Sequence, residues 1–171
     1  PARIVAKMNS LEDPGIIEKL YEASRAGVEI TLIVRGFCCL RPGVEGLSEN
    51  ITVLSIVGRF LEHSRIFHFG GGEEDWVAGK WFMGSADWMS RNLNDRVEVI
   101  TPVTDREARA QLQHILAINL RDRRRAWRLH RDGRYELLRP ESDAPAEGPE
   151  RLGSFETLCR EALASLSREP V

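Results

Sequence analysis

The sequence has no apolar run approaching the roughly 20 residues that a membrane-crossing helix needs. It also has no basic head, apolar stretch and small-residue cleavage site of a secretory leader. A cytoplasmic protein, free or associated with a membrane, is therefore expected. Cysteine is scarce. Cys38, Cys39 and Cys159 make up the complement of 3, too few for a disulfide framework, and the adjacent pair are poor partners for each other. The absence of a Cys-x2-Cys pair or a close histidine partner argues against zinc. Net charge is nearly absent too: 24 Lys and Arg stand against 26 Asp and Glu, a formal −2. No protein-wide field draws a polyanion, so any anion site must be local and built from a few arginines. What is present is the composition of a water-facing globular chain, 42% hydrophobic and 29% charged over 171 residues. That is enough for one domain with its own core. The chain opens on Pro1 rather than methionine and already reads as structured from Ala2, which suggests a piece of a longer protein.

Arg3–Met8 reads as a strand. A helix follows, opened by Ser10 and Asp13 in the manner of a capping box with the shorter acid, with Pro14 in its first turn. Ile16, Ile17, Leu20, Tyr21 and Ala23 have helical spacing, and Gly27 ends the element. Val28–Val34 is a β-branched run typical of a buried strand. Strand, helix, strand with short links is a βαβ unit, so a parallel pair is expected. Phe37–Asn50 reads as a loop, Ile51–Ile56 as a strand, Arg65–Phe69 and Trp76–Gly84 as a hairpin, Arg96–Thr101 as a half-exposed strand and Asp105–Leu120 as a helix. Beyond residue 120 the composition shifts to a basic segment, Arg121–Arg131. A Pro-, Glu-, Ala- and Ser-rich linker, Pro140–Pro149, and a short amphipathic helix over Ser154–Ser167 complete the chain.

Two places stand out chemically. His63 and Arg65 are two residues apart where the chain enters a strand, so their side chains share one face. An imidazole can shuttle a proton or meet a phosphoryl group near neutral pH, and a guanidinium binds phosphate oxygens in pairs. Arg65 has a second reading, an ion pair with Glu62 or Asp87. Arg35 follows the buried strand at its carboxyl end, the edge where open α/β sheets bind ligands, and Gly36 would let a ligand approach the backbone. Ser85 and Asp87, in the Gly84–Asp87 corner, and Arg59, in a neighbouring loop, are secondary candidates. Ser85 would donate to a phosphate, and Asp87 would orient His63 or counter an arginine. His68, one residue out of phase with His63, reads as structural.

Ile30–Gly43 (ITLIVRGFCCLRPG), Gly46–Asn50 (GLSEN), Ser55–Arg65 (SIVGRFLEHSR), Gly84–Leu93 (GSADWMSRNL) and Arg96–Glu98 together resemble the carboxy-terminal phospholipase-D-like domain of bacterial polyphosphate kinases of the long-chain-synthesising type. The resemblance covers residues 2–120 in order. The superfamily's His-x-Lys pair reads His63-Ser64-Arg65 here, and its Gly-Ser-x-Asn corner reads Gly84-Ser85-Ala86-Asp87. These changes fit the kinase and argue against a phosphodiesterase.

The resemblance implies an α/β fold, a phospholipase-D-like mixed sheet flanked by helices that forms one half of a two-domain catalytic core. Residues 1–120 would form this catalytic domain and 121–171 a basic segment, linker and short helix. It implies a kinase that reversibly moves the terminal phosphate of ATP onto inorganic polyphosphate. Mg2+ would accompany the ATP on ligands outside this chain, and no metal ligand is assigned within it. Arg35, His63 and Arg65 are the implied ATP- and phosphate-binding residues, with His63 the catalytic one. The histidine that becomes phosphorylated in the family lies in a preceding, homologous domain. Implied partners are ATP or ADP, polyphosphate, the upstream domains of the same chain and further copies in a homo-oligomer, with no nucleic acid. The isolated chain would be inactive in synthesis. Two other readings remain: a phospholipase-D-superfamily phosphodiesterase half-site, and a non-catalytic module that binds polyanions. Glu73, Glu74 and Asp75 are acidic residues that would oppose a polyanion path if they faced the cleft.

Overall fold

The computed structural model describes residues 2–167. The chain runs β1 (Arg3–Met8), α1 (Pro14–Arg25), β2 (Glu29–Val34), β3 (Ile51–Ile56), β4 (Ile66–Phe69), β5 (Lys80–Gly84), α2 (Ser90–Asn94) and β6 (Ile100–Val103). It continues through α3 (Arg106–Arg121), β7 (Ala126–Leu129), β8 (Tyr135–Leu137), α4 (Pro149–Leu152) and α5 (Ser154–Leu166). Eight strands form one mixed sheet in the order β6-β5-β4-β1-β2-β3-β7-β8. β1, β2 and β3 are parallel, and β4 and β7 flank them antiparallel. Among the described residues no helix is long and apolar enough to cross a membrane.

The near-continuous apolar strands follow from burial on both faces. On one face Ala6, Met8, Leu32 and Val34 pack with Leu20, Ile16 and Ile17 of α1. On the other, Val5, Ile33, Ile56 and Trp81 pack with Leu112, Ile115 and Leu116 of α3. Successive strand residues thus serve opposite helices, the alternation that the pleat imposes.

Three sequence expectations change. The cap of α1 is Asp13 itself, whose Oδ1 accepts from the Ile16 N–H at 2.9 Å. Leu11 bridges to Cys38 and Trp88 and holds the preceding backbone extended, so Ser10 cannot start the helix. The strand read over Arg96–Thr101 is displaced to Ile100–Val103. The charged–apolar alternation of 96–99 imitates a half-buried strand, yet Val97 is fully exposed. Val99 instead bonds Ser85 through its carbonyl (3.0 Å) and its N–H (3.1 Å). Past residue 120, where a basic segment and linker were expected, β7 pairs with β3 and β8 with β7. The arginines there mask a strand pattern, because Ala126 and Leu129 point inward while Trp127 and Arg128 lie exposed. The linker is a series of turns fastened by Arg151, which donates to the carbonyls of Ala144 (2.6 Å) and Ser142 (2.7 Å).

His68 is fully buried between Trp76 and Trp81, at ring-centroid distances of 5.3 and 4.4 Å. Burial holds its imidazole below the ordinary value, against a bond to the Trp76 carbonyl and together with the Arg3 charge. In the unfolded chain the ring titrates at about 6.5. Below that pH the unfolded chain takes a proton that the folded chain resists, so stability falls until the folded value is reached. Urea midpoints are expected to drop between about pH 7 and 5 in the wild type and less in His68→Leu. Equal drops in both would remove His68 as a source.

Candidate functional site

The carboxyl ends of β1 and β2 lie side by side, with Met8 opposite Val34. Because β4 is antiparallel to β1, its first residue, Ile66, pairs with Lys7 at that same edge. The sheet therefore delivers Asn9, Arg35 and the His63–Arg65 segment to one place. Gly84 and the corner after it arrive there too, since Ile66 pairs with Met83.

Arg65 is buried, and its guanidinium pairs with the buried carboxylate of Asp87: Nε to Oδ1 at 3.1 Å and Nη2 to Oδ2 at 3.0 Å. Its Nη1 lies 2.7 Å from His63 Nδ1 and donates to the His63 carbonyl at 2.6 Å. Nη2 lies 3.2 Å from His63 Nε2. A guanidinium has only N–H donors, so any ring nitrogen it bonds must be unprotonated. Asp87 Oδ1 also accepts the Asn9 N–H at 2.7 Å, and the Asn9 side-chain oxygen accepts from Arg35 Nη2. An unbroken chain of contacts therefore runs His63, Arg65, Asp87, Asn9, Arg35. It ends on an unmet donor: among the described residues the buried Arg35 Nε has no partner.

A second cluster fixes the loop that carries His63. Lys7, 4% exposed inside the apolar strand β1, donates to Ser64 Oγ at 2.9 Å and pairs with Glu62 at 3.1 Å. Burial lowers the Lys7 ammonium from its ordinary value, and Glu62 only partly offsets this. Burial acts to raise the Glu62 carboxyl, but hydrogen bonds from Ser64 and the Lys7 charge outweigh it and leave it low. His63 itself is exposed at the tip.

The candidates thus separate. Arg35, His63 and Asp87 join one network. Arg65 joins it as a brace rather than a free phosphate binder, because the Asp87 carboxylate and the His63 backbone occupy its donors. Ser85 sits on the same edge, but its hydroxyl donates to Glu98, whose carboxyl is lowered first by that bond and then by Asn92. Arg59 stands outside the network, over the Phe60 ring at 5.4 Å. Gly36 is required by packing rather than by a ligand: a Cβ there would meet Ser10 Oγ at 2.8 Å and the Asn9 carbonyl oxygen at 2.9 Å. Glu73, Glu74 and Asp75 follow the far end of β4, beside the start of β1, and Asp75 faces Arg106 at 3.2 Å. The acidic turn is therefore at the opposite edge from His63. Sequence reading missed Asn9 and Lys7. Asn9 follows β1 as Arg35 follows β2, and Lys7 is a buried charge within the apolar run of β1; both were available signals.

These residues do not fit a magnesium ion. Asp87 is held by Arg65 and Asn9, Glu62 by Lys7 and Ser64, and Glu98 by Ser85 and Asn92. Among the described residues no group of three or more His, Cys, Asp or Glu is placed to hold a metal.

Comparison with known proteins gives a consistent result. Residues 1–147 match the family model described as polyphosphate kinase C-terminal domain 2. The chain is 53% identical over 169 residues to the polyphosphate kinase of Synechocystis sp., covering 98% of this chain and 22% of that protein. It is 52% identical over 141 residues to the polyphosphate kinase of Pseudomonas aeruginosa, covering 82% and 20%. The crystal structure of polyphosphate kinase from Porphyromonas gingivalis superposes with a TM-score of 0.82 at 38% identity, over 96% of this chain and 24% of that one. The chain therefore spans about a fifth of the length of these curated relatives.

Proposed function

Because this chain belongs to the polyphosphate kinase family, we propose that it supplies one wall of a phosphoryl-transfer cleft. There Arg35 and His63 contact phosphates during reversible transfer between ATP and inorganic polyphosphate. The observation that carries this is the contact chain from His63 to Arg35, which holds a half-buried guanidinium at the carboxyl edge of β2. A phosphate oxygen is the natural acceptor for that guanidinium, since guanidinium–phosphate bonds are charge-assisted. Phosphoryl transfer asks mainly for positioning and charge compensation, and a side chain held by Asn9 arrives already oriented.

His63, exposed and braced by Arg65, assists by proton transfer or by stabilising phosphate. A preceding homologous domain would bear the phosphorylated histidine and close the cleft, and the whole enzyme would act in the cytoplasm as a homo-oligomer. Magnesium would arrive with the nucleotide and be held outside this chain.

The test is titration calorimetry of the chain with ATP and with tripolyphosphate. Weak binding of both is expected. Arg35→Ala should lower the affinity about tenfold, with no polymer made from ATP by the chain alone. Wild-type affinity in Arg35→Ala would exclude this site.

A further inference from the structure

The same sheet edge continues past Arg35. β3 pairs with β2 and ends at Ile56, and β7 pairs with β3 so that Ala126 lies opposite Ile56. The loop bearing Arg59 and the Arg124–Arg125 pair therefore meet at the carboxyl edge, one to two strand spacings from Arg35, about 5–10 Å across the sheet. Between them and the start of α5 lies a pocket of about 350 Å³, lined by Gly58, Arg59, Arg124, Arg125, Gly153 and Phe155 among others.

The pocket is built, not incidental. Asp122 is completely buried. Its Oδ1 accepts the N–H groups of Arg124 (2.9 Å) and Arg125 (2.7 Å), and its Oδ2 accepts that of Ser154 (2.6 Å). One carboxylate thus fastens the arginine pair to the first residue of α5. Phe60 packs on Phe155 with centroids 4.6 Å apart and ties the Arg59 loop to that helix.

The arginines nearby divide by use. Arg121 pairs with Glu150, Arg123 donates to the Leu120 and Asp122 carbonyls, Arg151 fastens the linker turns, and Arg160 pairs with Glu147 and Glu156. Among the described residues no carboxylate pairs with the side chains of Arg59, Arg124 or Arg125. The one acidic side chain lining the pocket, Glu156, is engaged by Arg160 at 2.8 Å. Among the described residues, three guanidiniums without a carboxylate partner, of which Arg124 donates to the Arg151 carbonyl at 3.4 Å, thus surround one cavity, in line with Arg35 along an edge.

We propose that this pocket is a second anion subsite, which holds the continuation of a linear polyphosphate whose end lies at Arg35 and His63. The proposal rests on the phosphate-binding reading of Arg35. A row of cationic sites across a sheet edge matches a flexible linear polyanion, whereas a compact nucleotide phosphate group at Arg35 falls short of it. Long polyphosphate should contact both places, and tripolyphosphate or ATP only the first.

The experiment compares these three ligands by titration calorimetry at constant ionic strength, using the chain and its variants. Arg124→Gln with Arg125→Gln leaves the backbone bonds to Asp122 in place, and circular dichroism checks the fold. The expected result is about a tenfold loss of affinity for long polyphosphate, unchanged affinity for tripolyphosphate and ATP, and recovery with Arg124→Lys and Arg125→Lys. Arg35→Ala should weaken all three ligands. Wild-type affinity for long polyphosphate in the double glutamine variant, with Arg35→Ala still defective, would overturn the subsite and leave the first site standing. An equal loss for all three ligands in the double glutamine variant would also overturn it, since the pair would then act as a general field. No effect of Arg35→Ala on any ligand would remove the first site and this extension with it.

Discussion

Asp87→Ala is expected to destabilise the chain by about 3–5 kcal/mol, because it strands a buried charge. The Arg65 guanidinium is 9% exposed and keeps two bonds to the Asp87 carboxylate, at 3.1 and 3.0 Å. The same carboxylate accepts the Asn9 N–H at 2.7 Å. Alanine leaves three donors facing a void with little access to water, and two of them belong to the Arg65 cation. The cost of an unpaired buried charge exceeds the net value of the pair, so the sign of the double variant is informative. Asp87→Ala combined with Arg65→Met removes both charges and should recover most of the loss.

Asp87→Asn, which restores the superfamily's usual corner residue, keeps the shape and one acceptor. Its amide N–H groups would still face the guanidinium, donor against donor, so an intermediate loss is expected. Urea midpoints of wild type, Asp87→Ala, Arg65→Met and the double variant close the cycle. A loss below about 1 kcal/mol in Asp87→Ala would mean that water reaches Arg65 and that the pair is a surface one. Tripolyphosphate affinity should fall as well, since the carboxylate links the His63 side of the site to the Arg35 side.

How much of this was legible in sequence depends on how local the cause is. β1, α1 and β2 were, because β-branched runs and 3.6-residue spacing are properties of contiguous residues. The convergence of His63 and Arg65 was legible for the same reason, being a period-two relation within one extended stretch. The choice between phosphate and Asp87 as the partner of Arg65 was not. It depends on β5 returning beside β4 and bringing residue 87 to within 3.1 Å of residue 65. Asn9 escaped notice because its role comes from the alignment of two strand ends, and Lys7 because one charge does not interrupt an apolar pattern. β7 was hidden by its arginines: its two buried residues, Ala126 and Leu129, lie three apart and enter the cores on opposite faces of the sheet, so no alternation of apolar residues marks the strand. Gly36 had the right importance and the wrong cause. It seemed to make room for a ligand, and it makes room for the chain.

That distinction gives the second large effect. Gly36 donates its N–H to the Asn9 carbonyl at 2.6 Å, so the ends of β1 and β2 touch there. A methyl group on residue 36 would press on that carbonyl oxygen at 2.9 Å and on Ser10 Oγ at 2.8 Å. Ser10 is buried, so its hydroxyl cannot swing into water, and the carbonyl is backbone. The strand ends must separate. Overpacking of this kind costs about 1–3 kcal/mol. Separation also pulls Asn9 from Arg35, so Gly36→Ala should lower tripolyphosphate affinity roughly tenfold. Gly58→Ala is the matched control: it lies on the same edge, and its added carbon meets only Phe155 Cβ, at an ordinary 3.9 Å. That variant should stay within about 0.5 kcal/mol of wild type. If Gly36→Ala loses affinity at full stability, the glycine serves the ligand after all. If it loses stability and affinity together while Gly58→Ala keeps both, the strand contact sets the position of Arg35.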